Sequence, residues 1–95
     1  MTLEARLVQA HVELEVTPKD QHGVKSVPLV RYGAYEVRLV EFAQSTRTNP
    51  FVFWLELFDF NERASIDSAG ADELDDALTV AQELASRAEQ LSKNG

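Results

Sequence analysis

From Val8 to Val16 the chain alternates. Val8, Ala10, Val12, Leu14 and Val16 are interleaved with Gln9, His11, Glu13 and Glu15, nine residues in strict period two. That period predicts a strand with one buried and one wet face. Upstream the phase changes, because Leu3, Ala5 and Leu7 fall on odd numbers. Either a bulge near Leu7–Val8 or a short helical turn ahead of the strand accounts for the shift, and the bulge is the preferred expectation.

Pro18 to Gly23 is a loop by composition. Val24 to Tyr32 reads as a second strand, in which Pro28 cannot donate a ladder hydrogen bond and so implies an edge position or a break. Gly33 allows a turn or a bulge. Tyr35, Val37 and Leu39 alternate with Glu36 and Arg38 and form a third strand, bulged where the phase jumps to Val40 and Phe42. Gln44 to Pro50 is a polar turn. Phe51 to Phe58 is a fourth strand, Asn61-Glu62-Arg63 turns the chain, and Ala64 to Asp67 returns as a short fifth strand.

The pattern then changes period. Leu74, Ala77, Ala81, Leu84, Ala88 and Leu91 are spaced by threes and fours, one stripe of an amphipathic helix. Asp72 suits the N-cap, and Asp75 and Asp76 sit where the helix dipole favours negative charge. Lys93 and Asn94-Gly95 suit the other end. The helix is expected over about Ala71 to Ser92. Together these elements predict one α+β domain over residues 1–95. Its antiparallel sheet of four to five strands carries one long C-terminal amphipathic helix on one face.

The fourth strand raises the functional question. Phe51 to Phe60 holds five of the chain's eight aromatic residues and no basic one. Phe51, Phe53, Leu55 and Leu57 would face the helix. Val52, Trp54, Glu56 and Phe58 would face away from it. A single helix cannot cover both faces, so the N-terminal strand, a loop or a second subunit is expected over Trp54 and Phe58. Val52, Trp54, Phe58 and Phe60 are therefore the candidate interaction surface. A stacking platform for nucleic acid needs cations close by. The chain neighbours here are Glu56, Asp59 and Glu62.

Charge points the same way. The chain of 95 residues has a net charge of −7, and residues 51–95 supply all of it with three Lys/Arg against ten Asp/Glu. Phosphate backbones would be repelled, so nucleic acid is not an expected partner. A protein partner is, either a second copy in a twofold dimer or a basic protein. An acidic decoy that occupies a basic nucleic-acid-binding protein is a weaker version of the same idea.

Candidate chemistry is sparse. There is no cysteine. His11 and His22 stand alone, with no second ligand at metal spacing, and no nucleophile signature surrounds Ser26, Ser45, Ser65 or Ser68. A calcium loop begun at Asp59 meets Arg63 and Ala64 where a ligand and a glycine belong. No catalytic, cofactor or metal site is assigned, and the balance falls against an enzyme. A small-molecule binder or minor enzyme with an aromatic-lined pocket is the competing class. The first fifteen residues lack a signal-peptide pattern, and no apolar run reaches the ~18 residues of a membrane helix, so a cytoplasmic location is expected.

Ala71-Asp72-Glu73-Leu74-Asp75-Asp76-Ala77-Leu78 follows a predicted hairpin. Over about Glu56 to Leu84 this resembles the hairpin-to-helix passage of HicB-type antitoxin domains. The family's Pro-Asp-Leu-Pro-Gly-like element is absent, and no DNA-binding segment follows the helix. Membership is not assigned, and the resemblance implies only a protein-binding role.

Overall fold

A computed structural model describes residues 2–41 and 53–94. Helix α1 spans Leu3–Glu13. Four strands follow, β1 (Lys25–Tyr32), β2 (Tyr35–Glu41), β3 (Phe53–Asp59) and β4 (Ala64–Ala71). Helix α2 spans Leu74–Asn94. The strands form an antiparallel sheet in the order β1-β2-β3-β4, so β2 and β3 are central. The fold is α+β, with the long helix packed on the sheet as expected. No described helix is long and apolar enough to cross a membrane.

The N-terminal segment is the principal correction. It is a helix, not a bulged strand. Thr2 caps it, its Oγ1 accepting from the Ala5 amide at 3.1 Å. Leu7, Ala10 and Leu14 are buried, with Leu3 packed beside them. Val8, Val12 and Val16 are exposed. The alternation was two helical stripes superposed. Leu3, Leu7, Ala10 and Leu14 form one stripe. Ala5, Val8, Val12 and Val16 form a second, on the opposite side, because three- and four-residue steps keep each on its own face.

Both helices pack on one face of the sheet and share one core. The sheet contributes Val27, Leu29, Val37, Leu39, Phe53, Leu55 and Leu57. Helix α2 contributes Ala77, Ala81, Leu84 and Ala88. Small side chains on α2 let its backbone come close to the strands. Leu74, at the start of the predicted stripe, is 38% exposed, and Ala71 ends β4 instead of opening the helix.

Pro28 does what a proline in a strand must do. β1 is an edge strand, and its register slips between Pro28 and Val30. The slip has a consequence for the surface. Val27 and Leu29 face the helices, and so does Val30, which pairs with Val37. Arg31 is thereby turned to the opposite face, where unbroken alternation would have aimed it into the core. A clasp holds the same spot from outside. Arg6 of α1 donates from Nε and Nη2 to the Pro28 carbonyl at 3.0 and 2.6 Å, and its Nη1 lies 3.0 Å from Glu13 Oε2. Arg6→Ala should therefore lower stability by about 1–2 kcal/mol. A urea midpoint unchanged from wild type would show that this clasp is idle.

The bulge expected in β2, where the phase jumps to Val40 and Phe42, is not seen among the described residues, and Phe42 lies outside them. β2 pairs with β3 without a register shift from Tyr35↔Asp59 to Val40↔Trp54. The second shift lies instead between β3 and β4, where Ile66 is the extra residue. β4 also runs four residues beyond the expected Asp67, to Ala71. Gly33 turns β1 into β2 at φ 61, and a Cβ there would stand 3.4 Å from Ser92 Cβ. The segment Gln44–Pro50 lies outside the described residues, as do Phe51 and Val52.

Candidate functional site

Strand pairing, not chain proximity, builds the face away from the helices. Three cross-strand rows can be read from the registers. Ser26, Val40, Trp54 and Gly70 form the first; Pro28, Arg38, Glu56 and Ser68 the second; Glu36, Phe58 and Ser65 the third, with Arg31 opposite Glu36. Neither helix lies over the second and third rows, whereas Val40 of the first is buried and lines a cleft at the end of α1. The N-terminal segment, one of the three covers expected over Trp54 and Phe58 beside a loop or a second subunit, sits on the other side of the sheet. Of the predicted surface residues, Trp54, Phe58 and Phe60 are half-buried, and Val52 lies outside the described residues.

The expected lack of cations holds along the chain but not in space. The Arg38 guanidinium stands 3.9 Å from the Phe58 ring centroid, and that of Arg31 stands 4.0 Å from the Phe60 centroid. Phe58 and Phe60 meet edge to face at 5.1 Å. Glu36 Oε1 accepts from Arg38 Nε at 2.7 Å, and the Glu36 side chain is only 13% exposed. Phe60 is fixed in the β3–β4 turn by its amide, which donates to the Ala34 carbonyl at 2.8 Å. Chains of this kind, aromatic to guanidinium to carboxylate, hold each member in one orientation. Each guanidinium lies over one face of a phenylalanine ring. Glu36 and Glu56 leave the patch close to neutral.

No sequence signal along Phe51–Phe60 could have revealed Arg31 and Arg38. They come from two other strands, and one of them depends on the β1 bulge.

The turn after β3 is held by a buried carboxylate. Asp59 Oδ1 accepts from the amides of Asn61 at 2.8 Å and Glu62 at 3.4 Å, so this acid serves turn geometry. Arg63 completes the turn with φ 54. Asp67 Oδ2 is held at 2.6 Å by Arg87 of α2, and Asp67 Oδ1 takes the Ser68 amide at 2.9 Å. The Ser68 amide and the Arg87 guanidinium are thus both engaged by Asp67 within the chain.

The histidines do not meet. His11 is on the exposed side of α1 rather than on a strand, its ring 4.9 Å from that of Phe53. His22 is in the loop before β1. Nearby, the amides of Val24 and His22 donate to Asp20 Oδ1 at 2.9 and 2.8 Å and hold that carboxyl below its ordinary value. A lowered pKa favours the fold above the unfolded value and loses that support as pH falls through the folded one. The group is fully exposed, so this loop contact is a minor part of acid unfolding.

The acids ahead of α2 are likewise accounted for by the helix start. The Glu73 carbonyl accepts the first helical bond, from Ala77 at 2.9 Å, which puts the cap one residue beyond Asp72. Among the described residues, no three His, Asp or Glu side chains converge where they could hold a metal ion.

One cleft opens where the end of α1 meets the sheet. It encloses about 340 Å³ and is lined by His11, Leu14, Glu15, Lys25, Val40 and Glu41. Lys25 and Glu41, both in its lining, are paired at 3.8 Å. Two aliphatic and four ionisable side chains make the lining mixed. Comparison of the chain with protein-family models, with curated proteins and with solved structures finds no match.

Proposed function

We propose that the chain is a non-catalytic protein-contact domain acting through the helix-free face of its sheet, most simply by self-association. One observation carries this reading. Both helices lie on the same face, so the rows around Phe58 and Arg38 have no helix above them. A patch of aromatic rings crossed by arginines suits protein contacts, in which aromatic residues and Arg are over-represented. A cytoplasmic location fits a chain without cysteine.

Light scattering tests the reading. Wild type should show a mass near twice 10.6 kDa. Phe58→Glu should show the single mass with an unchanged circular dichroism spectrum, because the new carboxylate faces Arg38. A wild-type protein that stays monomeric at high concentration sinks self-association through this face.

A second reading has its own observation, the cleft at His11, Glu15, Lys25 and Glu41. A small molecule with a charged group could seat there over Leu14 and Val40. Ligands that bind the native state raise its melting temperature. A thermal-shift screen with small charged metabolites should yield reproducible increases if this reading is right. Increases that survive Lys25→Ala combined with His11→Ala would place the ligand elsewhere.

A further inference from the structure

Helix α1 carries a feature that its own fold does not use. Val8 is 44% exposed and Val12 is 63% exposed, and Val16 in the turn beyond is 83% exposed. With Ala5 they make a continuous stripe on the side of α1 opposite its buried residues. β-branched residues are poor choices for an exposed helix, where Ala, Glu or Lys would cost up to about 0.7 kcal/mol less per position. Val8 and Val12 carry that cost and gain little burial in return.

The borders of the stripe are acidic. Glu4, His11 and Glu15 flank it on one side, and Gln9 and Glu13 on the other. The helix has one arginine, and Arg6 is committed to Glu13, Gln9 and the Pro28 carbonyl on the sheet side. Among the described residues of α1, no lysine or arginine lies on the stripe of exposed valines.

We infer that the outer stripe of α1 is a docking surface for a basic amphipathic helix of a partner protein, whose own apolar stripe is flanked by Lys or Arg. Apolar residues at i, i+3 and i+7 are the anchors such a pairing uses, and Ala5, Val8 and Val12 have that spacing. Charge sets the partner. A second copy of α1 would bring Glu4 and Glu15 against the same acids, and an anionic membrane surface would be repelled in the same way. A helix with basic flanks meets the carboxylates of Glu4 and Glu15 along one border of the stripe, while Glu13 on the other border is already paired with Arg6. Glu15 also lines the cleft at the end of α1, where the other carboxylate, Glu41, is already paired with Lys25. The inference rests on reading the chain as a protein-contact domain, but it uses a surface separate from the open sheet face.

The test is a titration of the folded protein with a synthetic amphipathic helix bearing lysines on both flanks of a leucine stripe. A scrambled peptide of the same composition is the control. Wild type should bind the ordered peptide at least about tenfold more tightly than the scrambled one. Val8→Glu combined with Val12→Glu should weaken binding by about tenfold or more, even though both changes add negative charge. Simple electrostatic attraction predicts the opposite sign for that variant. Binding that strengthens or stays equal in the double variant overturns the inference, and so does equal binding of the two peptides. Phe58→Glu should leave binding unchanged. Loss in Phe58→Glu with retention in the valine variant would move the contact to the sheet face, overturning this inference while upholding the protein-contact reading. No binding of either peptide by wild type also overturns it, and leaves the light-scattering test of the sheet face untouched.

Discussion

Leu55→Ala should cost about 3–5 kcal/mol, the upper part of the range for such a truncation. Leu55 is fully buried in β3, one of the two central strands, and its cross-strand neighbours are Leu39 and Ala69. The cost of a cavity depends on how far the surroundings can collapse into it. Here they have little freedom. Of the four buried side chains that α2 sets against the sheet, three are Ala77, Ala81 and Ala88, which have no rotamers with which to fill a void, and only Leu84 could move. The strand itself is hydrogen-bonded on both edges. A domain of this size has about 5–15 kcal/mol of stability in all, so the variant should unfold at a much lower urea concentration with the slope of the transition preserved. A loss below about 1.5 kcal/mol would mean that the sheet and α2 close up after all.

The same alanine stripe was the most legible part of the chain. Six apolar residues at helical spacing, with acids at one end and Lys93 at the other, leave one interpretation, and α2 follows it to within a few residues at each end. β3 was legible for a related reason. Phe53, Leu55 and Leu57 alternate with Trp54, Glu56 and Phe58, and the burial alternates with them. Pro28 implied an edge position or a break, because a missing N–H has few places to go, and β1 is an edge strand whose register slips beside it. What no local pattern could reveal was the company of Phe58 and Phe60. Arg38 reaches Phe58 from a neighbouring strand, and Arg31 reaches Phe60 only because the β1 bulge reverses its face. A one-residue register shift decides whether an arginine is on the surface patch or aimed into the core, and registers are set by pairing that a single strand does not encode.

The N-terminal segment misled for a different reason. Period two and period 3.6 are distinguishable when one face is apolar. They merge when a helix is apolar on two opposite faces, since positions 8, 10, 12, 14 and 16 then divide between the two. Leu3 and Leu7 held the warning. They are four apart and out of phase with the supposed strand, yet in phase with Ala10 and Leu14 on a helix. A helical face that needs no burial in its own domain is an unusual thing to encode, and it is the same property that makes the outer stripe of α1 a candidate contact surface.

One substitution made at two positions separates the strand from the helix. Leu7→Glu should abolish cooperative folding or lower stability by more than about 4 kcal/mol. Leu7 is 0% exposed beneath α1, and a carboxylate there would be desolvated among Leu14, Val27 and the other core residues without a cation to meet it. Burial raises the pKa of the new acid, so protonation relieves the charge and the variant should regain some stability as pH is lowered toward 5. Val12→Glu, five residues on, should change stability by no more than about 0.5 kcal/mol, because the site is exposed and Glu is the better helix former. In the strand reading the outcomes reverse, since Val12 would lie on the buried face with Val8, Ala10 and Leu14, and Leu7 would fall at the irregular end. Urea midpoints for the two proteins decide the matter. A folded Leu7→Glu beside an unfolded Val12→Glu would remove α1, and with it the docking stripe.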